Sequence, residues 1–299
     1  MIVLTQNDIE DLNIKNSEIL RWVKEAFLIK ERSYLPEKIS QTFNNGNNFF
    51  NTMPVIVPSI DSAGVKYVSR YPNRNPAIRG ELLLYNLSDG LPLALMDATW
   101  ITAKRTGAVA ALAVSTFAKK DFENIALLGL GETGRSFIDM CLLDTENKEK
   151  TFKLMSYKDH AVAMQKHLYS QGVKKVEICN SYEELIRNSD VIVSAITVAK
   201  EDIGKDEWFK KGVLVVPIHT RGFQNCDLFF DKVFGDDTAH LSNFKYFDRF
   251  RSFNEIDKVL KHEIIGRSDD SERILSYNIG IALHDIYIAR KIYNLNFES

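Results

Sequence analysis

A glycine-rich turn between a buried strand and a helix constrains the fold of this 299-residue chain more than any other feature. Residues 124–128 (NIALL) have the pattern of a buried strand, and GLGETG follows at once, leading into a helix over 135–143. In this context Gly129 makes the tight turn, Gly131 lets backbone amides approach a pyrophosphate, and Gly134 lets the helix pack on the strand. The helix N-terminus then stabilises the diphosphate charge. A glycine turn in a flavodoxin-like sheet without a dinucleotide is the alternative, and the strand–turn–helix context favours the dinucleotide.

The segments beyond this turn alternate between strand and helix. Hydrophobic periodicity predicts strands at 152–156, 175–178, 190–195 and 213–217, with helices at 159–171 and 181–187. Strands that alternate with helices form right-handed βαβ units around a parallel sheet. The fold class is therefore α/β, with a Rossmann-type parallel sheet domain.

The N-terminal half has a different order of predicted helices and strands. It predicts a helix at 17–33, then strands at 49–57, 64–69, 81–87 and 93–96, the last two joined by the turn residues Ser-Asp-Gly. This pattern indicates an α+β domain with an antiparallel sheet. An alanine-rich helix at 98–118 joins the two domains, and a long amphipathic helix at 271–293 returns to the first. We therefore expect one domain from residues 1–118 with 271–299, and a dinucleotide-binding domain over 119–270.

The charge balance excludes partners that need a basic surface. The chain has 38 Lys and Arg against 40 Asp and Glu, a net charge of −2, so we expect neither a nucleic acid nor a membrane as partner. A content of 45% hydrophobic and 26% charged residues is that of an ordinary globular protein.

Cysteine usage and the N-terminus favour a cytoplasmic location. Cys141, Cys179 and Cys226 are widely spaced without a C-x-x-C pair, the N-terminus lacks a basic leader, and the apolar run 191–199 is too short to cross a bilayer. The six histidines lack the spacing of H-E-x-x-H, so no metal site is predicted.

The end of the second Rossmann strand indicates which dinucleotide binds. No carboxylate stands at this strand tip, where an acid would bind a ribose 2′-hydroxyl and repel a 2′-phosphate. Ser156, with Lys158 nearby, slightly favours NADP(H) over NAD(H), although Asp159 would serve as the acid if the strand ended later. Further along, Ala195 and Thr197 follow a buried strand and should pass near the cofactor; for Thr197, an ordinary exit from the strand is an equally good interpretation.

Lys66 and Arg105 are the polar candidates of the first domain. Alternation along 64–70 places Lys66 and Val68 on one face of the strand and Val65 and Tyr67 on the other. Because both faces carry bulky apolar groups, Lys66 would enter a covered space, where desolvation lowers the pKa of its ammonium towards neutrality. Composition alone favours a surface lysine. On the alanine-rich helix, Arg105 shares a face with Thr102 and Thr106. Arg105 could bind a carboxylate with two parallel hydrogen bonds, and an interdomain salt bridge is equally compatible with the pattern.

Together these motifs resemble the ornithine cyclodeaminase/μ-crystallin family over most of the chain. The matching segments, in chain order, are Met53-Pro54, Gly64-Val65-Lys66, Pro92-Leu93-Ala94-Leu95-Met96-Asp97, Arg105-Thr106, the glycine turn at 129–134 and the closing segment at 278–285. The resemblance implies a Rossmann domain and a first domain that dimerises, with substrate bound between the two, so a homodimer is expected.

The resemblance also implies roles for individual residues. Lys66 would be the general acid/base, Arg105 would bind the substrate carboxylate, and Lys38 would be a second basic ligand of that carboxylate, with a solvated loop lysine as its alternative. The candidate cofactor residues are Thr106, Gly129, Gly131, Glu132, Thr133, Gly134, Ser156, Lys158, Ala195 and Thr197.

One departure from the family pattern bears on the reaction. Cyclodeaminases carry an acidic group after a late Rossmann strand, whereas this chain has Thr220 or Arg221 at that place. Neither can accept an amine proton as a carboxylate does, so cyclisation of ornithine becomes doubtful. Arg221 suits a substrate with a second carboxylate, and His219 would be a proton donor; a loop that only caps the sheet is the alternative.

These features predict an NAD(P)-dependent oxidoreductase that acts on the carbon–nitrogen bond of an amino or imino acid. Two alternatives stay open. One is an ornithine or lysine cyclodeaminase, a lyase that uses bound NAD without net redox change. The other is a non-catalytic protein that binds a small ligand when NADP(H) is bound.

Overall fold

A computed structural model describes residues 1–196, 203–218 and 227–298. Its strands in chain order are β1 (Ile2–Leu4), β2 (Ile39–Phe43), β3 (Asn48–Val57), β4 (Ser62–Arg70), β5 (Ile78–Asn86), β6 (Pro92–Asp97), β7 (Asn124–Leu128), β8 (Thr151–Met155), β9 (Lys175–Cys179), β10 (Val191–Ser194), β11 (Leu214–Pro217), β12 (Lys232–Gly235), β13 (Phe253–Glu255) and β14 (Ile274–Tyr277). The helices are α1 (Gln6–Asp11), α2 (Asn16–Leu28), α3 (Thr99–Phe117), α4 (Glu132–Cys141), α5 (His160–Ser170), α6 (Tyr182–Ile186), α7 (Thr238–Leu241), α8 (Ile256–Leu260) and α9 (Ala282–Glu298).

The chain divides into two compact units. Unit 1 comprises Met1–Arg105 and Gly280–Ser299, and unit 2 comprises Thr106–Ile279. The junctions between the units lie at 105/106 and 279/280, whereas the sequence predicts domain boundaries at 118/119 and 270/271. The first junction falls within α3, which runs from Thr99 to Phe117.

Unit 1 is built on a six-stranded sheet of order β1-β6-β5-β4-β3-β2, in which only the β1–β6 pair is parallel. Helix α9 packs on β3, β4 and β5, and α2 packs on α9. A Cβ atom at Gly64 would overlap the side chain of Ile286, so the glycine lets α9 approach β4 closely. Alternation along β4 buries Lys66 and Val68 under α9, whereas Tyr67 lies on the outer face and is exposed.

Unit 2 is built on a parallel sheet of order β13-β12-β14-β11-β10-β7-β8-β9. The chain runs outward from β7 to β8 and β9, then returns to the other side of β7 with β10 and β11. This reversal next to β7 creates the crevice at the carboxyl ends of the strands where such sheets bind ligands. The α/β fold with a Rossmann-type sheet, predicted from the sequence, is confirmed.

An ion cluster around the buried Asp190 joins the starting ends of β7 and β10. The Asp190 carboxylate lies 2.8 Å from the Lys119 ammonium and 2.7 Å from that of Lys210. It also accepts hydrogen bonds of 3.0 Å from the amides of Glu123 and Asn124. Burial by itself raises the pKa of the Asp190 carboxyl, but the hydrogen bonds from both lysines and both amides outweigh it and lower that pKa to about 2.

The predicted helix over 271–293 is wrong in its first half. Ile274–Tyr277 forms β14, a fully buried strand between β11 and β12, and the helix begins at Ala282. Between them Gly280 has a φ of +84°, a conformation that favours glycine and interrupts regular structure. A short apolar run buried on both faces cannot be assigned to strand or helix from its periodicity.

Within the described ranges, none of the helices combines the length and the apolar character needed to cross a membrane.

Candidate active site

Lys66 is the centre of a buried polar cluster in unit 1. Its backbone pairs with Met53 and Leu82 in the neighbouring strands, and its side chain has no exposure to solvent. The Lys66 Nζ atom lies 2.7 Å from Oδ2 of Asp285 in α9 and 3.5 Å from Oγ1 of Thr102 in α3. The surface lysine that composition alone favours is therefore not what the structure contains.

Arg105 reaches the same carboxylate from α3. Its Nε atom lies 3.1 Å from Oδ1 of Asp285, and its side chain is only 8% exposed. A Cβ atom at Gly280 would overlap the guanidinium group, so the glycine leaves room for this side chain. The ion pair of Arg105 lies within unit 1 and is not the interdomain salt bridge that the sequence left open.

The environment of Lys66 brings its pKa close to neutral pH. Burial lowers the pKa most, and the charges of Arg105 and Lys38 lower it further. The charge and hydrogen bond of Asp285 act in the opposite direction, and the result is a pKa of about 7. An amine with that pKa exchanges protons readily at physiological pH, as a general acid or base must.

Asp285 stays ionised although it has no exposure to solvent. Burial raises the pKa of its carboxyl, but the positive charges of Arg105 and Lys66 outweigh this and hold the pKa below its ordinary value. The neighbouring His284 is also fully buried, 4.4 Å from the ring of Phe27 between centroids. Burial and the charge of Arg105 lower the pKa of His284 to about 3, so this ring is neutral.

Asp285 has no role among the functions predicted from sequence, although the residues around it carry a signal. Residues 281–289 (IALHDIYIA) are almost entirely apolar, and all of them are buried. A charged residue in such a helix needs a partner of opposite charge, because an unpaired buried charge is very costly. Identifying that partner as Lys66 requires the fold, since the two residues are far apart in the sequence.

The glycine turn of unit 2 has the geometry that a dinucleotide needs. Gly129 has a φ of +83°, and a Cβ there would overlap the backbone of Ala195 after β10. A Cβ at Gly134 would overlap the carbonyl of Gly129. Gly131 differs, because its hypothetical Cβ meets no atom of the described residues within 4 Å, and its backbone forms the N-cap of α4. The open space and the helix amides fit a pyrophosphate.

The strand β8 ends at Met155, so Ser156 and Lys158 follow its tip directly. Ser156 is partly buried, whereas Lys158 and Asp159 are exposed. Lys158 has a φ of +46°, and its Nζ atom lies 5.3 Å from the centroid of the Tyr157 ring. The first residues beyond the strand therefore present a hydroxyl and an ammonium group, and the first carboxylate along the chain is that of Asp159.

The other predicted site residues fall into two groups. Thr106 is buried in α3, Glu132 is exposed and Thr133 partly buried in the first turn of α4, Ala195 follows β10, and Lys38 is partly buried before β2. Thr197, His219 and Arg221 lie outside the described residues, as does Thr220.

Two proteins of known name are similar to this chain in sequence. The chain is 30% identical over 256 residues to the nodulation efficiency protein NfeD of Rhizobium meliloti, covering 82% of this chain and 79% of that protein. It is 23% identical over 320 residues to a Delta(1)-pyrroline-2-carboxylate reductase of Bacillus cereus, covering 100% of this chain and 97% of the reductase.

Solved structures share the fold over almost the whole chain. The Delta(1)-pyrroline-2-carboxylate reductase of Thermococcus litoralis, in complex with NADH and L-proline, superposes with a TM-score of 0.85 at 21% identity, covering 100% of this chain and 98% of that one. An archaeal alanine dehydrogenase dimer with bound NAD superposes with a TM-score of 0.86 at 22% identity, covering 99% and 96%.

A family model matches the chain from end to end, over residues 1–299. The relatives that carry a named activity include reductases of imino acids and an amino-acid dehydrogenase. This protein belongs to the ornithine cyclodeaminase/mu-crystallin family.

Proposed function

We propose that this protein is an NAD(P)-dependent oxidoreductase that acts on the carbon–nitrogen bond of a small amino or imino acid, with unit 2 binding the dinucleotide and unit 1 the substrate. The observation that carries the proposal is the buried Lys66, which pairs with Asp285 beside Arg105 and has a pKa of about 7. A proton donor of this kind beside a guanidinium group suits a substrate that carries both a carboxylate and an imine or amine.

The polar residues of unit 1 have different roles toward such a substrate. A bound nicotinamide dinucleotide would supply or remove a hydride at the α-carbon. Lys66 exchanges a proton with the substrate nitrogen, donating it in the direction of imine reduction. Arg105 and Lys38 bind the α-carboxylate and orient the carbon–nitrogen bond, which removes much of the entropic cost of reaction.

Two residues beyond β11 complete the proposal. His219 would donate a proton, and Arg221 would bind a second carboxylate of the substrate. Their support is their place in the sequence, directly after a strand whose carboxyl end lies on the ligand-binding side of a parallel sheet. The acid that cyclodeaminases place there is missing from this chain, which favours a net oxidation or reduction over release of ammonia.

For the cofactor we propose NADP(H) over NAD(H). The support is that β8 ends at Met155, so that the hydroxyl of Ser156 and the ammonium of Lys158 follow the strand tip. Positive charge at this position attracts the 2′-phosphate that distinguishes NADP. Thr106, Glu132, Thr133, Ala195 and Thr197 remain proposed cofactor contacts.

The proposal includes a homodimer formed through unit 1. A row of apolar residues crosses the outer face of the sheet in cross-strand register: Val3, Leu95, Leu83, Val65 and Pro54. Val3 is 64% exposed and Leu95 37%. A continuous apolar face of this kind marks an interaction surface. Light scattering should give the mass of two chains, with Leu95→Glu giving one; a wild-type monomer at micromolar concentration would contradict the dimer.

We also propose that the protein works in the cytoplasm. Cys141 and Cys179 are buried as free thiols, which is the state that a reducing compartment maintains. A tagged protein expressed in cells should fractionate with cytoplasmic markers; recovery with exported proteins would contradict this location.

The experiment that tests the function is a panel of substrates. Purified protein is incubated with NADPH or NADH and with cyclic imino acids, such as pyrroline-2-carboxylate and piperideine-2-carboxylate, and with oxaloacetate plus ammonia. We expect one reduced cofactor to be consumed for each imine reduced. Ammonia released from ornithine or lysine without net change in cofactor would indicate the cyclodeaminase instead. Tight ligand binding without any turnover would indicate a binding protein.

A further inference from the structure

One buried carboxylate, that of Asp285, pairs with both Lys66 and Arg105. Asp285 lies in the first turn of α9, with Oδ2 2.7 Å from Nζ of Lys66 and Oδ1 3.1 Å from Nε of Arg105. Each of its oxygens therefore pairs with a different cation, and the three side chains come from α9, β4 and α3. Such an arrangement leaves little freedom to any of the three groups.

The geometry also limits what each cation can offer a substrate. The Nε atom of Arg105 already pairs with Asp285, so only its terminal nitrogens are left for a substrate carboxylate, and these are the edge that binds it with two parallel hydrogen bonds. The backbone at Gly280 passes beside these terminal nitrogens, since a Cβ atom there would overlap Nη1 and crowd Nη2. The orientation of Arg105 is thus set before a substrate arrives.

We propose that Asp285 is a positioning residue for the reaction of Lys66 and Arg105: it fixes the direction of both side chains and keeps the Lys66 ammonium protonated for proton donation. This inference rests on the proposed function. The inference adds to the proposed function a residue, Asp285, that touches neither cofactor nor substrate and acts through Lys66 and Arg105.

The charges around Lys66 show why a counterion is needed. Arg105 lies on α3 and Lys38 precedes β2, and both repel a protonated Lys66. Thr102 on α3 contacts it as a neutral hydroxyl, and His284 on α9 is neutral. Asp285 opposes this repulsion, because its charge and its hydrogen bond both favour the charged form of Lys66. Without that carboxylate, the Lys66 ammonium would lose its proton at a lower pH.

The test compares Asp285→Asn with wild-type protein across pH. For imine reduction, kcat/KM should fall as Lys66 loses its proton, and in Asp285→Asn this fall should begin about 1 to 3 pH units lower. KM should also rise, because asparagine cannot pair with both cations. The matched control is Asp257→Asn, since Asp257 is equally buried and lies 3.0 Å from the ammonium of Lys261 in unit 2. The Asp257→Asn variant should show the same pH dependence of kcat/KM as wild-type protein.

A readout without turnover separates failure of this inference from failure of the proposed function. In protein labelled with carbon-13 at lysine Cε, the Lys66 signal, assigned from Lys66→Met, reports its protonation directly. We expect its titration midpoint to move to lower pH in Asp285→Asn. An unchanged midpoint would overturn the inference even if the enzyme is active, whereas a moved midpoint would stand even if no imino acid is reduced.

If Asp285→Asn does not fold, Asp285→Glu carries the test. Glutamate keeps the negative charge but extends it by one methylene, so the Lys66 midpoint should stay near that of wild type while KM for the substrate rises about tenfold because Arg105 is displaced. A wild-type KM in Asp285→Glu would contradict the positioning role.

Discussion

The Nζ atom of Lys66 lies 2.7 Å from Oδ2 of Asp285, and neither side chain is exposed to solvent. Lys66 belongs to the second long strand of the N-terminal sheet and Asp285 to the C-terminal helix. The N-terminal sheet and the C-terminal helix therefore meet at one ion pair. Burying two charges is costly unless both are paired, so a pair of this kind beside Arg105 is more easily explained by chemistry than by stability.

Replacing Lys66 by methionine should abolish most of the activity while leaving the dinucleotide site intact. Loss of a general acid lowers kcat/KM by about 10² to 10⁴-fold. Steady-state kinetics of imine reduction and calorimetry of dinucleotide binding would measure the two effects. In wild-type protein, kcat/KM for reduction should fall above about pH 7, where the Lys66 ammonium loses its proton.

The control for Lys66→Met is Lys174→Met, because Lys174 is 66% exposed and pairs with Glu149 at the surface. That variant should retain the wild-type rate and pH profile. Full turnover by Lys66→Met would remove Lys66 as the proton donor.

Two glycines of the turn after β7 should respond differently to the same substitution. In Gly131→Ala the new methyl meets no atom within 4 Å in the part of the chain that the structure describes, so the free energy of unfolding should be unchanged. That methyl would occupy the space where the pyrophosphate approaches the backbone, so the Kd of the dinucleotide should rise about tenfold or more. Calorimetry measures the Kd.

The comparison variant is Gly134→Ala, whose methyl would overlap the Gly129 carbonyl. It should lower the free energy of unfolding by about 1 to 3 kcal/mol, as overpacked sites do. Equal dinucleotide affinity in Gly131→Ala and wild-type protein would contradict binding at this turn.

The choice between the two dinucleotides should depend on the tip of β8. Ser156→Asp places a carboxylate where the 2′-phosphate of NADP would lie, so KM for NADPH should rise about tenfold or more while KM for NADH should not. Lys158→Ala should weaken NADPH alone, to a smaller degree. As a control, Lys166→Ala removes an exposed lysine of α5 and should change neither KM. A parallel loss for both cofactors would contradict the proposed discrimination.

Asp190 should contribute to stability in a pH-dependent way. Its folded-state pKa of about 2 lies below the ordinary 3.8, so the stabilisation is present above about pH 4 and is lost as pH falls towards 2. Asp190→Asn should therefore lower the free energy of unfolding by about 1 to 2 kcal/mol at pH 7, with a smaller difference from wild type at pH 2. Denaturant unfolding at several pH values measures this, with the exposed Asp121→Asn as control. A difference that does not change with pH would contradict the ion cluster.

Local patterns were sufficient to predict the parts of the fold that depend on neighbours in sequence. The glycine turn lies between β7 and α4 as predicted, and alternation along β4 placed Lys66 on the same face as Val68. Both signals arise within a few residues, because strand alternation and the demands of a phosphate-binding turn are local properties.

Features that depend on distant parts of the chain could not be predicted in this way. The apolar run of β14 is a strand only because β11 and β12 flank it. The partner of Asp285 is set by the packing of α9 on β4. Periodicity carries no information about either relationship.

The most direct measurement follows the hydride itself. The protein is given a cyclic imino acid and NADPH, or NADH in parallel, deuterated at the transferable position of the nicotinamide, and the product is analysed by mass spectrometry and NMR. The account predicts one deuterium at the α-carbon for each cofactor oxidised, with this transfer nearly lost in Lys66→Met. A product without deuterium at that carbon, or no oxidation of either cofactor across the imino acids, would contradict it.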